Sequence, residues 1–197
     1  MVSHPQVMAI VNITPDSFFD ASRTWDEQSI AARVKRVVAE GATIIDIGGY
    51  SSRAGADDVT LNEELSRVER ALAVVKDVAA DVIVSVDTFR SRVAQRAIEM
   101  MGAVIINDIS AGEADAAMVD VVAHYGVPYV AMHMRGTPKT MQHSTAYERG
   151  VVEEVAAYFD SRTEWLMSRG VKDIIIDPGF GFAKSMEQNY ELLAGLG

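Results

Sequence analysis

No cysteine occurs anywhere in the 197 residues. That absence excludes a disulfide scaffold, a thiolate zinc site and a cysteine nucleophile. No apolar run approaches the ~20 residues that a membrane helix needs, and Met1-Val2-Ser3-His4-Pro5 lacks the charged and apolar regions of a signal peptide. Positive charge is scarce: the net charge is −10, which argues against a general nucleic-acid or anionic-membrane surface. A soluble cytoplasmic protein is expected, and any anionic substrate must be held by a local cation cluster or a metal. There is no Gly-Lys-Ser/Thr phosphate loop, no dinucleotide fingerprint and no HExxH, and the four histidines lack zinc spacing.

What is present is one pattern, repeated. Ile174-Ile175-Ile176 runs into Asp177, and Pro178-Gly179 then turns the chain out. β-Branched runs of this length suit a strand buried on both faces, and a carboxylate at its end needs water, a hydrogen bond or a ligand. Ala9-Ile10-Val11 ends at Asn12, Thr43-Ile44-Ile45 at Asp46 before Gly48-Gly49, and Val82 to Val86 at Asp87. Val104-Ile105-Ile106 ends at Asn107-Asp108, and Tyr129 to Met132 at His133. Six polar exits would line a single edge of a sheet.

Between these runs the spacing predicts helices over Asp26–Glu40, Leu61–Val78, Phe89–Met101, Ala114–His124, Tyr147–Arg169 and Met186–Leu196. Ile30, Val34, Val37 and Val38 form the inward face of the first, and Leu65, Val68, Leu72 and Val75 that of the second. Gly41, Gly102, Gly126 and Gly170 stop helices as left-handed caps. Unbroken alternation of strand and helix means a parallel sheet in one domain over 1–197. Polar groups at nearly every strand exit favour a (β/α)8 barrel over a doubly wound sheet. About six of the eight units are legible, against ~250 residues for a full barrel. The chain is therefore expected to be a fragment, C-terminally incomplete.

Each candidate residue has a plain alternative. Asn12 suits Mg²⁺, which takes few protein ligands, or caps a turn. Gly48-Gly49 with Ser51-Ser52-Arg53 is a phosphate cradle or an ordinary turn. Asp87, Asn107 and Asp177 suit the donor edge of a flat heterocycle, yet Asp87 and Asn107 precede helices and could cap them. His133 reads as core or rim.

Together these stretches resemble dihydropteroate synthase. The resemblance rests on Met8-Ala9-Ile10-Val11-Asn12-Ile13-Thr14-Pro15-Asp16-Ser17-Phe18, Asp46-Ile47-Gly48-Gly49-Tyr50-Ser51-Ser52-Arg53, Ser85-Val86-Asp87-Thr88, Ile106-Asn107-Asp108-Ile109, Met132-His133-Met134 and Asp177-Pro178-Gly179-Phe180-Gly181-Phe182. It implies a pterin-binding (β/α)8 barrel and a sulfonamide target. Such a barrel joins 6-hydroxymethyl-7,8-dihydropterin diphosphate to 4-aminobenzoate, with Mg²⁺ as cofactor and a homodimer through barrel helices. By resemblance Asp87, Asn107 and Asp177 hold the pterin and Asn12 contacts Mg²⁺. Phe18 lies on the loop over aminobenzoate, Ser52 and Arg53 shape the aminobenzoate and diphosphate sites, and Lys184 is a basic group of the sixth loop.

The sequence departs from the family at Ala54 (often proline), Tyr50 (often glutamate) and Ala183 (often glycine). The family's seventh-strand Ser-Arg-Lys and eighth-strand Arg-x-His have no counterpart, so weakened leaving-group stabilisation is expected. A folate-binding methyltransferase and a non-catalytic pterin-binding remnant are the alternatives. The first would not need the Asn12–Phe18 loop or Ser52-Arg53.

Overall fold

The computed structural model describes residues 5–13, 27–50, 58–137, 140–141 and 144–196. Among these residues six strands, β1 (Met8–Asn12), β2 (Ile44–Gly48), β3 (Ile83–Asp87), β4 (Ile105–Asp108), β5 (Tyr129–Met132) and β6 (Ile174–Asp177), alternate with six helices. The helices are α1 (Glu27–Ala39), α2 (Leu61–Val78), α3 (Ser91–Met101), α4 (Ala117–Tyr125), α5 (Val151–Ser168) and α6 (Met186–Ala194). All strand pairs are parallel and the spatial order is β1-β2-β3-β4-β5-β6. A doubly wound sheet reverses its order at a switch point. This one never does, and α1 touches α2, α2 touches α3, and α3 touches α4. Helices on one side of a strictly sequential parallel sheet are the repeating unit of the expected (β/α)8 barrel, present here six times.

The alternation of side chains along each strand divides the sheet into two faces. Val11, Ile45, Ile47, Val84, Val86 and Ile106 face the helices, where they bury Val34, Leu72, Ala97 and Val119. On the opposite, inner face Ile10 and Ile83 remain more than half exposed. A second small cluster, Val151, Val155, Phe159 and Leu192, fastens α6 to α5. Val38, expected on the inward stripe of α1, is exposed. It lies one residue, or about 100°, beyond Val37 and so turns off the stripe.

The expected helix stops are borne out: Gly41, Gly102, Gly126 and Gly170 all have positive φ. Starts were less legible. α5 begins at Val151 rather than Tyr147, because Gly150 at φ 91 and ψ 148 breaks the helical path. α3 begins at Ser91, whose N–H donates to Asp115 Oδ2 at 2.8 Å, and α4 at Ala117. Among the described residues no helix is long and apolar enough to cross a membrane.

Candidate active site

Asn12, Gly48, Asp87 and Asn107 are register partners across β1, β2, β3 and β4. Partners in a parallel ladder project to the same face, so four strands contribute one row at the C-terminal edge of the inner face. Gly48 makes the row possible. A Cβ at that position would lie 2.5 Å from Asn12 Oδ1 and 3.4 Å from Asp87 Oδ2, so the amide and the carboxylate close over the space a side chain would take. The row continues through Val130 and Ile175. Asp177, two residues beyond Ile175, therefore shares this face one pleat further out.

Below the row sits a carboxylate that sequence reasoning misplaced. Asp46 belongs to the middle of β2, not to its exit, and is buried. The signal was available: Ile44, Asp46 and Gly48 alternate with Ile45 and Ile47, which puts the carboxylate on the inner face. Asn107 Nδ2 donates to Asp46 Oδ2 at 3.0 Å, so the Asn107 carbonyl oxygen stays available. Asp46 Oδ1 and Ser85 Oγ, side chains of register partners on β2 and β3, are shut off from solvent with no hydrogen bond of standard geometry among the described residues.

This crowding sets the electrostatics. Burial first, then the charges of Asp46, Asp108 and Glu64, holds Asp87 well above the ordinary carboxylate pKa. Burial also raises Asp46, against the hydrogen bonds it accepts. Two carboxyls that resist ionising together favour a ligand edge rich in N–H donors or carrying developing positive charge. Neither Asp87 nor Asn107 caps a helix: the N-cap of α3 is Arg90. The turn-capping duty in β4 falls to Asp108, which faces the helices. Its Oδ1 accepts from Ser110 N–H at 2.8 Å, and its Oδ2 from Gly112 N–H at 2.8 Å and from the Tyr129 hydroxyl at 2.7 Å.

The sixth exit is held differently. Asp177 Oδ1 accepts from Gly179 N–H at 2.8 Å, and the Lys184 ammonium donates to the carbonyls of Gly179 and Phe182, each at 2.9 Å. Lys184 Nζ lies 3.1 Å from His133 Nδ1, and both residues are buried, at 4% and 2% exposure. His133 packs edge-on against Tyr158 at 4.9 Å. Burial, then the neighbouring Lys184, pushes the imidazole down to about 4. Burial also lowers Lys184 to about 8, with Asp177 opposing. The structure thus turns the Lys184 amine into its own loop. Ala183, in place of a frequent glycine, adopts φ 53.

Phe18, Ser52 and Arg53, and with them the loops over 14–26 and 51–57, lie outside the described residues. No cluster of three or more histidine, aspartate or glutamate side chains set to hold a metal ion exists among the described residues. Asn12 Oδ1 offers a single neutral oxygen beside Asp87. That donor set fits a Mg²⁺ whose other ligands are substrate phosphates and water.

The profile of the family described as pterin binding enzyme matches residues 8–197. The chain is 45% identical over 191 residues to the folic acid synthesis protein of Schizosaccharomyces pombe, covering 96% of this chain and 26% of that protein. It is 41% identical over 197 residues to the dihydropteroate synthase of Haemophilus influenzae, covering 99% of this chain and 70% of that enzyme. Among solved structures, the dihydropteroate synthase of Xanthomonas albilineans with 4-aminobenzoic acid superposes with a TM-score of 0.85 at 38% identity, covering 98% of this chain and 68% of that one.

Proposed function

The chain belongs to the pterin binding enzyme family, and on that premise we propose that it acts in a dihydropteroate synthase. This transferase condenses 6-hydroxymethyl-7,8-dihydropterin diphosphate with 4-aminobenzoate in folate synthesis. The observation that carries the reading is the row Asn12–Gly48–Asp87–Asn107 with Asp177 on the same face. Support also comes from relatives of that name and from a structural neighbour with 4-aminobenzoic acid.

The chemistry suits the residues. The reaction breaks the methylene–oxygen bond to diphosphate; the electron pair leaves with pyrophosphate, and positive charge spreads into the pterin. The arylamine then supplies the new carbon–nitrogen bond and loses a proton to solvent. Asp87 accepts two parallel hydrogen bonds from the amidine-like pterin edge, the side-chain oxygen of Asn107 accepts a third, and the second oxygen of Asp177 a fourth. Those acidic groups also favour the developing cation, so positioning and electrostatics carry the rate. Mg²⁺ would be held by Asn12 and the diphosphate, and would supply charge neutralisation for the departing anion. In this proposal Ser52 and Arg53 serve the aminobenzoate and diphosphate sites, and Phe18 covers the aminobenzoate. Lys184 acts at one remove, by fixing the turn after Asp177. A cytoplasmic homodimer is part of the same reading.

The test is calorimetric titration with the pterin diphosphate, followed by assay for dihydropteroate. Asp87→Asn and Asp177→Asn should each weaken pterin binding at least tenfold with the circular dichroism spectrum unchanged. Undiminished affinity in both would remove the pocket from the inner face.

A further inference from the structure

A glutamate with no exposed surface sits in α2, on the far side of the sheet from the proposed ligands. Glu64 is 0% exposed. Its Oε1 accepts from the Thr88 hydroxyl at 2.7 Å and its Oε2 from the Arg90 guanidinium at 2.7 Å. Burying such a pair seldom adds net stability over apolar residues of the same size, so its presence asks for another account.

Its contacts supply one. Thr88 follows Asp87 directly, and its N–H donates to the Asn107 carbonyl at 3.0 Å. Through its hydroxyl, the end of β3 is thus tied to α2 while its backbone is tied to β4. The same stretch of α2 grips the end of β2. A Cβ on Gly49 would lie 3.1 Å from both Glu64 Cγ and the Glu64 carbonyl oxygen, and Arg67 donates to the Gly49 carbonyl at 3.0 Å. Arg90 extends the tie: it donates to the Val59 carbonyl at 2.8 Å and lies over the Tyr50 ring at 5.4 Å.

We propose that Glu64 is a positioning residue that orients the chain leaving Gly48 and Asp87, and with it the Asp87 carboxyl, by anchoring the β2 and β3 exits to one turn of α2. The inference rests on the proposed role of Asp87 as a pterin ligand. Glu64 touches no substrate; it acts through Thr88.

A packing role and a positioning role predict opposite results at Thr88. Thr88→Val keeps the shape and removes the hydroxyl, whereas Thr88→Ser keeps the hydroxyl and removes a methyl. Positioning predicts that Thr88→Val raises KM for the pterin diphosphate about fivefold or more with little change in KM for 4-aminobenzoate, and that Thr88→Ser behaves as wild type. Glu64→Gln, whose single oxygen must stand in for the two separate acceptors of Thr88 and Arg90, should raise KM for the pterin diphosphate as Thr88→Val does. Amide exchange at Thr88 should quicken about tenfold in Thr88→Val and not in Thr88→Ser. A Thr88→Val protein with wild-type KM values and exchange, or a Thr88→Ser protein as impaired as Thr88→Val, overturns the proposal. If the wild type does not bind the pterin diphosphate, the functional reading fails, and the exchange comparison still decides whether Glu64 anchors the two exits.

Discussion

Replacing Gly179 by alanine tests how the Asp177 turn is built. Gly179 has φ 70, where an L-residue costs about 1–2 kcal/mol. The larger effect is steric: a Cβ there would lie 2.1 Å from the His133 carbonyl oxygen, over 1 Å inside ordinary contact, and a backbone atom cannot swing away. To relieve the overlap the turn must move. That movement strains two charge-assisted bonds, from Gly179 N–H to Asp177 and from Lys184 to the Gly179 carbonyl. Losing both costs about 3–6 kcal/mol, so the substitution should cost about 4 kcal/mol or more, a large share of a domain's stability. Gly181→Ala is the internal control. Its φ is 81 but none of the described residues lies within 4 Å of a Cβ, so the backbone term of about 1–2 kcal/mol is the one expected. Urea unfolding of the two variants, checked for an unchanged m-value, should separate them by about 3 kcal/mol. Equal, small losses at both positions would refute the claim that the His133 strand end braces this turn.

Gly48→Ala should behave in the opposite way. The clash is with Asn12 Oδ1 at 2.5 Å, the tip of a side chain that can rotate away, so the melting temperature should hold within a few degrees. Affinity for the pterin diphosphate in the presence of Mg²⁺ should fall about tenfold, read by titration. Tyr129→Phe should destabilise by about 1.5–3 kcal/mol in denaturant unfolding, because the buried Asp108 Oδ2 loses a donor at 2.7 Å. His133 titrates at about 4 in the fold, against about 6.5 in an unfolded chain. The unfolded state therefore binds the extra proton between those values. The stability owed to neutral His133 is complete above about pH 6.5 and falls by about 3 kcal/mol as pH drops toward 4. Comparing wild type with His133→Gln isolates this slope from the buried aspartates, whose raised values act in the opposite sense.

The strand exits were legible because β-branched runs and their terminating polar residues are local features, and so were the glycine stops. Asp46 was misread because its run was ended at the first charge. The unbroken alternation around it meant the strand went on to Gly48. Glu64 was invisible for a different reason. In Asn62-Glu63-Glu64-Leu65-Ser66-Arg67 it reads as one of several solvated charges, and only the arrival of Thr88 and Arg90 from the segment after β3 makes it an interior residue. Lys184 was expected, by resemblance, to be a substrate-binding basic group of the sixth loop. Its direction depends on a turn whose carbonyls point inward, which no periodicity reveals.

The row from Asn12 to Asn107 is also a ruler. Its four marks are one strand apart, about 4.8 Å each, and so span about 14 Å. The divisions are set by main-chain hydrogen bonds, which no side-chain substitution alters. Mutation changes what stands at a mark, or empties it as at Gly48, but leaves the interval alone. Compounds that fit this edge must therefore present their recognisable groups at that interval, and adaptation to longer or shorter ones has to come from the connecting loops.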